Sequence, residues 1–422
     1  MTAARVRVAA AVCFALLSIL YGCANDQSAG SRTPAASPPP SSVATSSTPA
    51  AVPSSSAQAT KPSAKPQRTS VTVVMNGDLL WHNTLWYGAK EDARRRGRGG
   101  YDFAPLLAGM KPVIAAADLA ICHEEVPLAK PGGPYRNYPI FAAPPQVVKA
   151  ISATGYDLCT TVSNHCVDQG FAGLKRTLDD LDRAKVRHVG TARTKAESER
   201  PTIFTTKHGI KIAVVAATFS LNGLPMPEGK PWAVHRLTAN DLLGQAHRAR
   251  AAGADIVLAA IHAGTEYSTS ENGQQVKLAR TLTASPDIDL VYMHHPHVVQ
   301  PWTIVNKKWV LYGVGNTVAQ QEPPRTYEGA TGRFTFTRVG NGRFTVSKAE
   351  YIPTLVTLYQ PGKPARLYHL SAALKTAKGT MSVTKYDPCS FVRLTRAADL
   401  AARDESKERY GNPGLCGEDS PR

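Results

Sequence analysis

The chain has 422 residues, 43% of them hydrophobic, which is material for a sizeable core in one large domain or two. Its 49 lysines and arginines against 32 acids give a net charge of +17, which favours anionic partners such as nucleic acid, anionic lipid, wall polymers or an acidic polypeptide. No zinc-finger spacing or RNA-binding signature accompanies the charge, so the reading turns away from nucleic acid.

Arg5 and Arg7 precede an apolar run over residues 8–20, the length of a signal-peptide core and short for a membrane span. The run ends in Leu20-Tyr21-Gly22-Cys23, which resembles a bacterial lipobox. Residues 1–22 are therefore expected to be a signal peptide, with Cys23 the lipidated N-terminus of the mature chain. Tyr21 is unusual at its position, which leaves simple secretion or an uncleaved anchor open. Residues 23–69 are Ser, Thr, Pro and Ala with hardly any large apolar side chain, so a disordered tether is expected there. The expected location is extracytoplasmic, anchored at the membrane or, alternatively, secreted.

The folded body is expected over residues 70–352. Strands are predicted at 71–75 and 118–122, with a helix over 103–117 capped by Asp102 and broken locally at Pro112. A helix over 145–154, a strand over 156–162 and an amphipathic helix over 171–184 follow. Further strands fall near 187–189, 202–205 and 211–218. The helix over 239–252 ends at Gly253, as helix C-caps prefer. Strands near 256–261 and 290–293 flank a helix around 273–284. Segments 302–305, 308–312, 332–338 and 343–352 alternate and turn tightly, notably at Gly340-Asn341-Gly342, as antiparallel hairpins do. The first half reads βαβ and the later part antiparallel, giving a mixed α/β body. Residues 353–422 are expected to form a partly helical extension.

Six strand-like runs end in polar clusters. They carry Asp78, Glu124, Asn164 with His165, His262, His294 with His295 and His297, and Asn316. Seven of the chain's 12 histidines lie in or beside these clusters, His82 and His123 among them. In open α/β sheets ligands gather outside the carboxyl ends of strands, so the six clusters suggest one shared site. Carboxylate, imidazole and amide oxygen are what hard or borderline divalent metals accept. Taken singly the clusters are ordinary: Gly77-Asp78 could be a turn, Glu124 a loop cap, His262 a satisfied strand-end histidine. The run His294-His295-Pro296-His297 is harder to explain structurally, and Asp168 is placed to orient His165 from the next turn.

The stretches NGD at 76–78, DLAICHEE at 118–125, SNHCVDQGFAGLKRTLDDL at 163–181, IHAGTEY at 261–267, HHPHVVQ at 294–300 and YGVGN at 312–316 together resemble the CapA-type poly-γ-glutamate capsule-synthesis family. That family is related in fold to the calcineurin-like metallophosphoesterases. The resemblance covers about residues 71–351. It implies a metallo-dependent phosphatase-like α/β/β/α sandwich with mixed sheets and a divalent-metal centre, expected to hold two ions of Mn, Zn or Fe. The implied ligands are Asp78, Glu124, Asn164, His262, His295 and His297. His165 takes the proton-donor position with Asp168 behind it. Glu266 is implied as a supporting or substrate-contacting group, and Asn316 as a partner of a ligand residue. His123 stands where the family has Asn, Ala263 where an aromatic is common, and Met293 where glycine is common. The departures suggest that His123 adds a ligand or changes the metal preferred, and that Ala263 opens the pocket.

Among the seven cysteines, Cys389 and Cys416 flank a C-terminal segment and are a candidate disulfide outside the cytoplasm. Cys122, Cys159 and Cys166 read as small buried residues, because no C-x-x-C spacing marks them as thiolate ligands. The run Arg94-Arg95-Arg96-Gly97-Arg98 reads as a solvated charge run or as a basic loop beside the site. The expected function is synthesis, export or anchoring of an anionic cell-surface polymer, through metal-assisted hydrolysis or transfer within a capsule-synthesis complex. A non-catalytic polymer-binding subunit and a small-molecule phosphodiesterase are the alternatives.

Overall fold

The computed structural model describes residues 69–323, 325–340 and 342–376. The signal segment, Cys23, nearly all of the tether, and the Cys389–Cys416 pair with its expected helix lie outside the described residues. The chain opens with β1 (Ser70–Leu79), α1 (Asn83–Arg95), α2 (Ala104–Leu107), a 3-10 turn (Ala108–Met110) and α3 (Lys111–Ile114). It continues through β2 (Leu119–Glu124), α4 (Gln146–Thr154), β3 (Leu158–Thr160), α5 (Gly170–Arg183), β4 (Arg187–Val189), α6 (Lys195–Glu199), β5 (Ile203–Thr205) and β6 (Lys211–Thr218). Then come α7 (Ala239–Ala251), β7 (Ile256–His262), α8 (Gly273–Ala284), β8 (Leu290–His294), β9 (Trp302–Val305) and β10 (Lys308–Leu311). The last elements are β11 (Asn316–Val318), β12 (Glu328–Arg338), β13 (Phe344–Val356), β14 (Leu367–His369) and α9 (Leu370–Thr376).

Two sheets result. The first runs β14-β13-β12-β1-β2-β3-β4, with β11 alongside the end of β1, and the second runs β5-β6-β7-β8-β10-β9. The βαβ half gives parallel pairs from β1 to β4, and the late hairpins give the antiparallel β12–β14. Because strand side chains alternate, each central strand supplies two cores. Met75, Ile121 and Leu158 face Val214, Leu258 and Tyr292 between the sheets. On the outer side of the first sheet Val74 and Ala120 meet Leu85, Leu107 and Val148 of the helices. On the outer side of the second, Val215, Val257 and Val291 meet Leu242, Ala246 and Leu282. The architecture is an α/β/β/α sandwich with mixed sheets.

Several expectations need correction. The helix over 103–117 is broken into α2, the 3-10 turn and α3, with Pro112 in the first turn of α3, where its missing N–H costs nothing. The turn lies against β14, and a Cβ on Gly109 would sit 2.3 Å from the Leu367 carbonyl oxygen. The first sheet also takes β14 from beyond residue 352, so the body runs past that boundary. Helix α1 was not expected; its buried face mixes Leu85 and Trp86 with Gly88, Ala89, Asp92 and Ala93, so the apolar periodicity is confined to its first turn.

Cys122 and Cys159 are buried but not separate: they form a disulfide between register partners on β2 and β3. Cys166 is free and buried. The basic run is no loop beside the site. Arg94 and Arg95 close α1, about 20 Å along the helix from His82, and Arg96 and Arg98 pair with Asp102.

Candidate metal centre

The strand ends are brought level by register. Asp78 lies beside His123 across β1 and β2, and His262 lies between Thr218 and His294 across β6, β7 and β8. Gly77 lets β11 approach so closely that a Cβ there would lie 1.9 Å from the Gly315 carbonyl oxygen. That contact seats Asp78, whose N–H donates to Gly315 O at 3.1 Å. After β8 the chain turns sharply, with φ of 92° at His295 and 60° at His297, a left-handed backbone uncommon for residues with a Cβ. The turn brings two imidazoles and one backbone N–H to one carboxylate. His294 Nδ1–H donates to Asp78 Oδ1 at 2.8 Å, His297 Nδ1 is 3.2 Å from Asp78 Oδ2, and the His295 N–H reaches Asp78 Oδ2 at 3.3 Å. Burial works to raise the Asp78 carboxyl, but the bonds from His294 and His297 hold it well below the usual carboxylate range.

A second set of bonds crosses between the sheets. His262 Nε2 and Asn164 Oδ1 are 2.9 Å apart, and Asn164 Nδ2 donates to Asn222 Oδ1. With the amide so oriented, His262 Nε2–H is the donor. Its Nδ1 then accepts from His123 Nε2–H at 3.0 Å, and His123 Nδ1 accepts from the Thr160 hydroxyl at 2.7 Å. This assignment needs both rings neutral. Burial, reinforced by neighbouring histidines, pushes both imidazoles well below their ordinary range.

The residues fit a divalent cation because fully buried polar atoms are left without partners. Both carboxylate oxygens of Glu125 lack a hydrogen bond, as do His294 Nε2 and His295 Nδ1. A buried carboxylate without a donor is costly, and a cation removes that cost. Burial pushes Glu125 well above the ordinary carboxylate range. For His297 burial works downward, but the charges of Glu125 and Asp78 and the bond to Asp78 carry it up to about 9. Three overlapping sets have ligand atoms within 4.8 Å of one another: Asp78–His123–His294, Asp78–Glu125–His297 and Glu266–His295–His297. Asp78 and His297 are each shared by two sets, the pattern expected of adjoining metal positions.

Beside the cluster, His165 Nδ1–H donates to Asp168 Oδ2 at 2.8 Å, and the same oxygen accepts from the Phe141 N–H at 2.7 Å. The carboxylate fixes the ring so that Nε2 is the atom free to exchange a proton. Phe141 packs edge-on against His165 at 4.9 Å, and the Asn222 amide nitrogen lies 3.4 Å from both ring nitrogens.

The expected site residues divide accordingly. Asp78, Asn164, His165, Asp168, His262, His295 and His297 are brought together, with His123 and His294 among them. Asn316 Oδ1 lies 3.0 Å from His297 Nδ1, and the half-exposed Glu266 lies 3.9 Å from His295 Nε2. Glu124 is the exception. Its carboxylate turns to the helical face of the first sheet, where Trp81 Nε1–H reaches both oxygens at 2.9 Å. Glu125 occupies the centre instead, with His262 and His297 nitrogens at 3.9 and 3.8 Å. Ala263 is fully buried in the outer core of the second sheet, with Met293, so it does not open the pocket. Glu125, Thr160 and Asn222 were not singled out. For Glu125 the signal was available in strand alternation, which places it on the same face as His123.

The family model described as bacterial capsule synthesis protein PGA_cap matches residues 72–321, more than half of the chain. The chain belongs to this family. Within the bacterial capsule synthesis family it is 27% identical over 210 residues to the PGA biosynthesis protein CapA of Bacillus subtilis (strain 168), covering 47% of this chain and 52% of the relative. It is 26% identical over 193 residues to the capsule biosynthesis protein CapA of Bacillus anthracis, covering 45% and 46%. The chain thus spans about half the length of the curated relatives it matches. Among solved structures, the calcineurin-like phosphoesterase YfkN from Bacillus subtilis aligns with a TM-score of 0.42 and 13% identity, over 79% of this chain and 99% of the other. The NAD nucleotidase of Haemophilus influenzae aligns with a TM-score of 0.39 and 13% identity, over 79% and 68%.

Proposed function

We propose that this capsule-synthesis family member is an exported, membrane-tethered hydrolase or transferase acting on an anionic cell-surface polymer of the poly-γ-glutamate type. The observation that carries the reading is the unpartnered Glu125 carboxylate, buried against Asp78 and His297. Asp78, Glu125, His294, His295 and His297 are the groups that would hold metal. Divalent ions bound there would polarise the carbonyl or phosphoryl group and lower the pKa of a water. His165, oriented by Asp168, supplies the proton that the leaving group takes, from Nε2. His123 and His262, engaged with each other and with Thr160 and Asn164, hold the two sheets in register behind the centre.

Export is supported by the signal-like N-terminus and by the Cys122–Cys159 disulfide, since such bonds persist outside the reducing cytoplasm. The excess of basic residues favours a polyanion. The test is turnover of oligo-γ-glutamate and of a model phosphodiester by purified protein supplied with Mn²⁺, Zn²⁺ or Fe²⁺. Metal-dependent cleavage that Asp78→Asn abolishes supports the reading. Protein that binds no metal and cleaves neither substrate would instead be a polymer-binding subunit.

A further inference from the structure

A cavity of about 460 Å³, separate from the metal centre, is walled by β4, α6, β5, β6 and α7. Its charge is unbalanced. The acids on its wall are Asp182, Glu197 and Glu199, and all are engaged: Arg193 pairs with Asp182 and Glu197, and Lys195 lies 3.7 Å from Glu199. Arg187, Arg200 and Arg248 also line it, and among the described residues no carboxylate pairs with any of the three. Three exposed arginines on one concavity, none held in an ion pair, make its rim attractive to an anion. Each offers a fork of donors matched to a carboxylate or phosphate group.

The cavity also stands in a fixed relation to the metal centre. Val214 of β6 lines it, and the same strand ends at Thr218, the register partner of His262. That separation is about 13 Å along the strand, which about three or four extended residues span. A single small anion has no use for such spacing. A chain of anions does, because one end can rest in the cavity while another reaches the centre.

We infer that this cavity is a second, non-catalytic subsite that holds a run of carboxylates, through Arg187, Arg200 and Arg248, while a more distant unit of the same chain lies at the metal centre. The anion site stands on the cavity and its unpaired arginines; the choice of a polycarboxylate rests on the proposed function. Occupation at two points raises the effective concentration of the chain at the centre without further contacts there.

The experiment is fluorescence anisotropy of labelled oligo-γ-glutamate with the full chain in EDTA, where no turnover occurs. The wild type is compared with Arg187→Ala/Arg200→Ala/Arg248→Ala and with the corresponding triple lysine variant. The alanine triple is expected to weaken binding about tenfold or more and the lysine triple to weaken it less. The three arginines are exposed, so the fold tolerates their loss, and an unchanged melting temperature checks this. Binding equal to wild type in the alanine triple overturns the subsite. Displacement of the oligomer by an equal concentration of inorganic phosphate overturns the polycarboxylate assignment. Because cleavage is not read, failure here is distinct from failure of the metal-centre reading.

Discussion

Glu124 and Glu125 are neighbours in the chain whose carboxylates lie on opposite faces of one sheet. Glu124 accepts from Trp81 Nε1–H in the helical layer, whereas Glu125 faces Asp78, His262 and His297 between the sheets. Burial pushes both well above the ordinary carboxylate range. The indole partly compensates Glu124. Among the described residues none gives Glu125 a hydrogen bond; the charge of His297 3.8 Å away offsets its burial in part, and a divalent cation would do so further.

The His165–Asp168 pair predicts a proton-transfer defect without loss of metal. His165→Ala should lower kcat by about 10²–10⁴-fold while metal content stays that of the wild type. Asp168→Asn should give a smaller loss, since the ring remains but its orientation and tautomer are no longer held. Steady-state kinetics and metal analysis on the same preparations check both. Unchanged turnover in His165→Ala would remove it from the proposed role.

Much of this site was legible in the sequence because strand ends advertise themselves. Apolar runs closing on Asp78, Asn164-His165, His262 and the histidines at 294–297 mark the cluster in the sequence itself. Which face a residue takes was the harder question. The tandem Glu124-Glu125 offered two carboxylates, and a β-strand presents only one to each side. The bulge in the β1–β2 pairing between Met75 and Asp78 further hid the local register. Asn222 was invisible for another reason: it lies on the loop after β6, 57 residues from His165, with no periodic signal. The Cys122–Cys159 pairing likewise depends on β2 and β3 being sheet neighbours, which spacing does not disclose.

That disulfide ties the strands that carry His123 and Thr160, one residue beyond each cysteine. Replacing both cysteines by alanine should cost roughly 2–4 kcal/mol of stability, read as a lower urea midpoint with a slope no smaller than that of the wild type. Reduction of the wild type should give a similar shift. If neither changes the midpoint, the bond contributes nothing to the fold.

The metal-free protein should be acid-sensitive. Burial holds His295 down at about 3 and pushes His123 and His262 well below their ordinary range. The unfolded chain therefore binds protons that the folded one refuses, and stability falls as pH drops below about 6.5, by about 1.4 kcal/mol per unit for each such histidine. His297 behaves oppositely. Its pKa of about 9 means that it holds a proton at pH 7.5, which metal must displace. Unfolding in EDTA at pH 7 and pH 5 tests the first point. Titration calorimetry of metal binding in buffers of different ionisation enthalpy tests the second, with net proton release expected.

Gly77 should be intolerant of any side chain. Its Cβ would meet the Gly315 carbonyl oxygen at 1.9 Å, so Gly77→Ala must push β11 from β1 and move Asp78. We expect a loss of about 1–3 kcal/mol and weaker metal binding. Gly99→Ala, with no neighbour within 4 Å, serves as the control and should change neither.

The central claim is that Glu125, and not Glu124, completes a divalent-metal centre with Asp78 and His297. The direct test is metal stoichiometry by elemental analysis after reconstitution, for the wild type, Glu125→Gln and Glu124→Gln. The account predicts bound divalent metal in the wild type, loss of metal in Glu125→Gln, and retention in Glu124→Gln. Metal lost from Glu124→Gln but kept by Glu125→Gln, or no metal bound by the wild type, would contradict it.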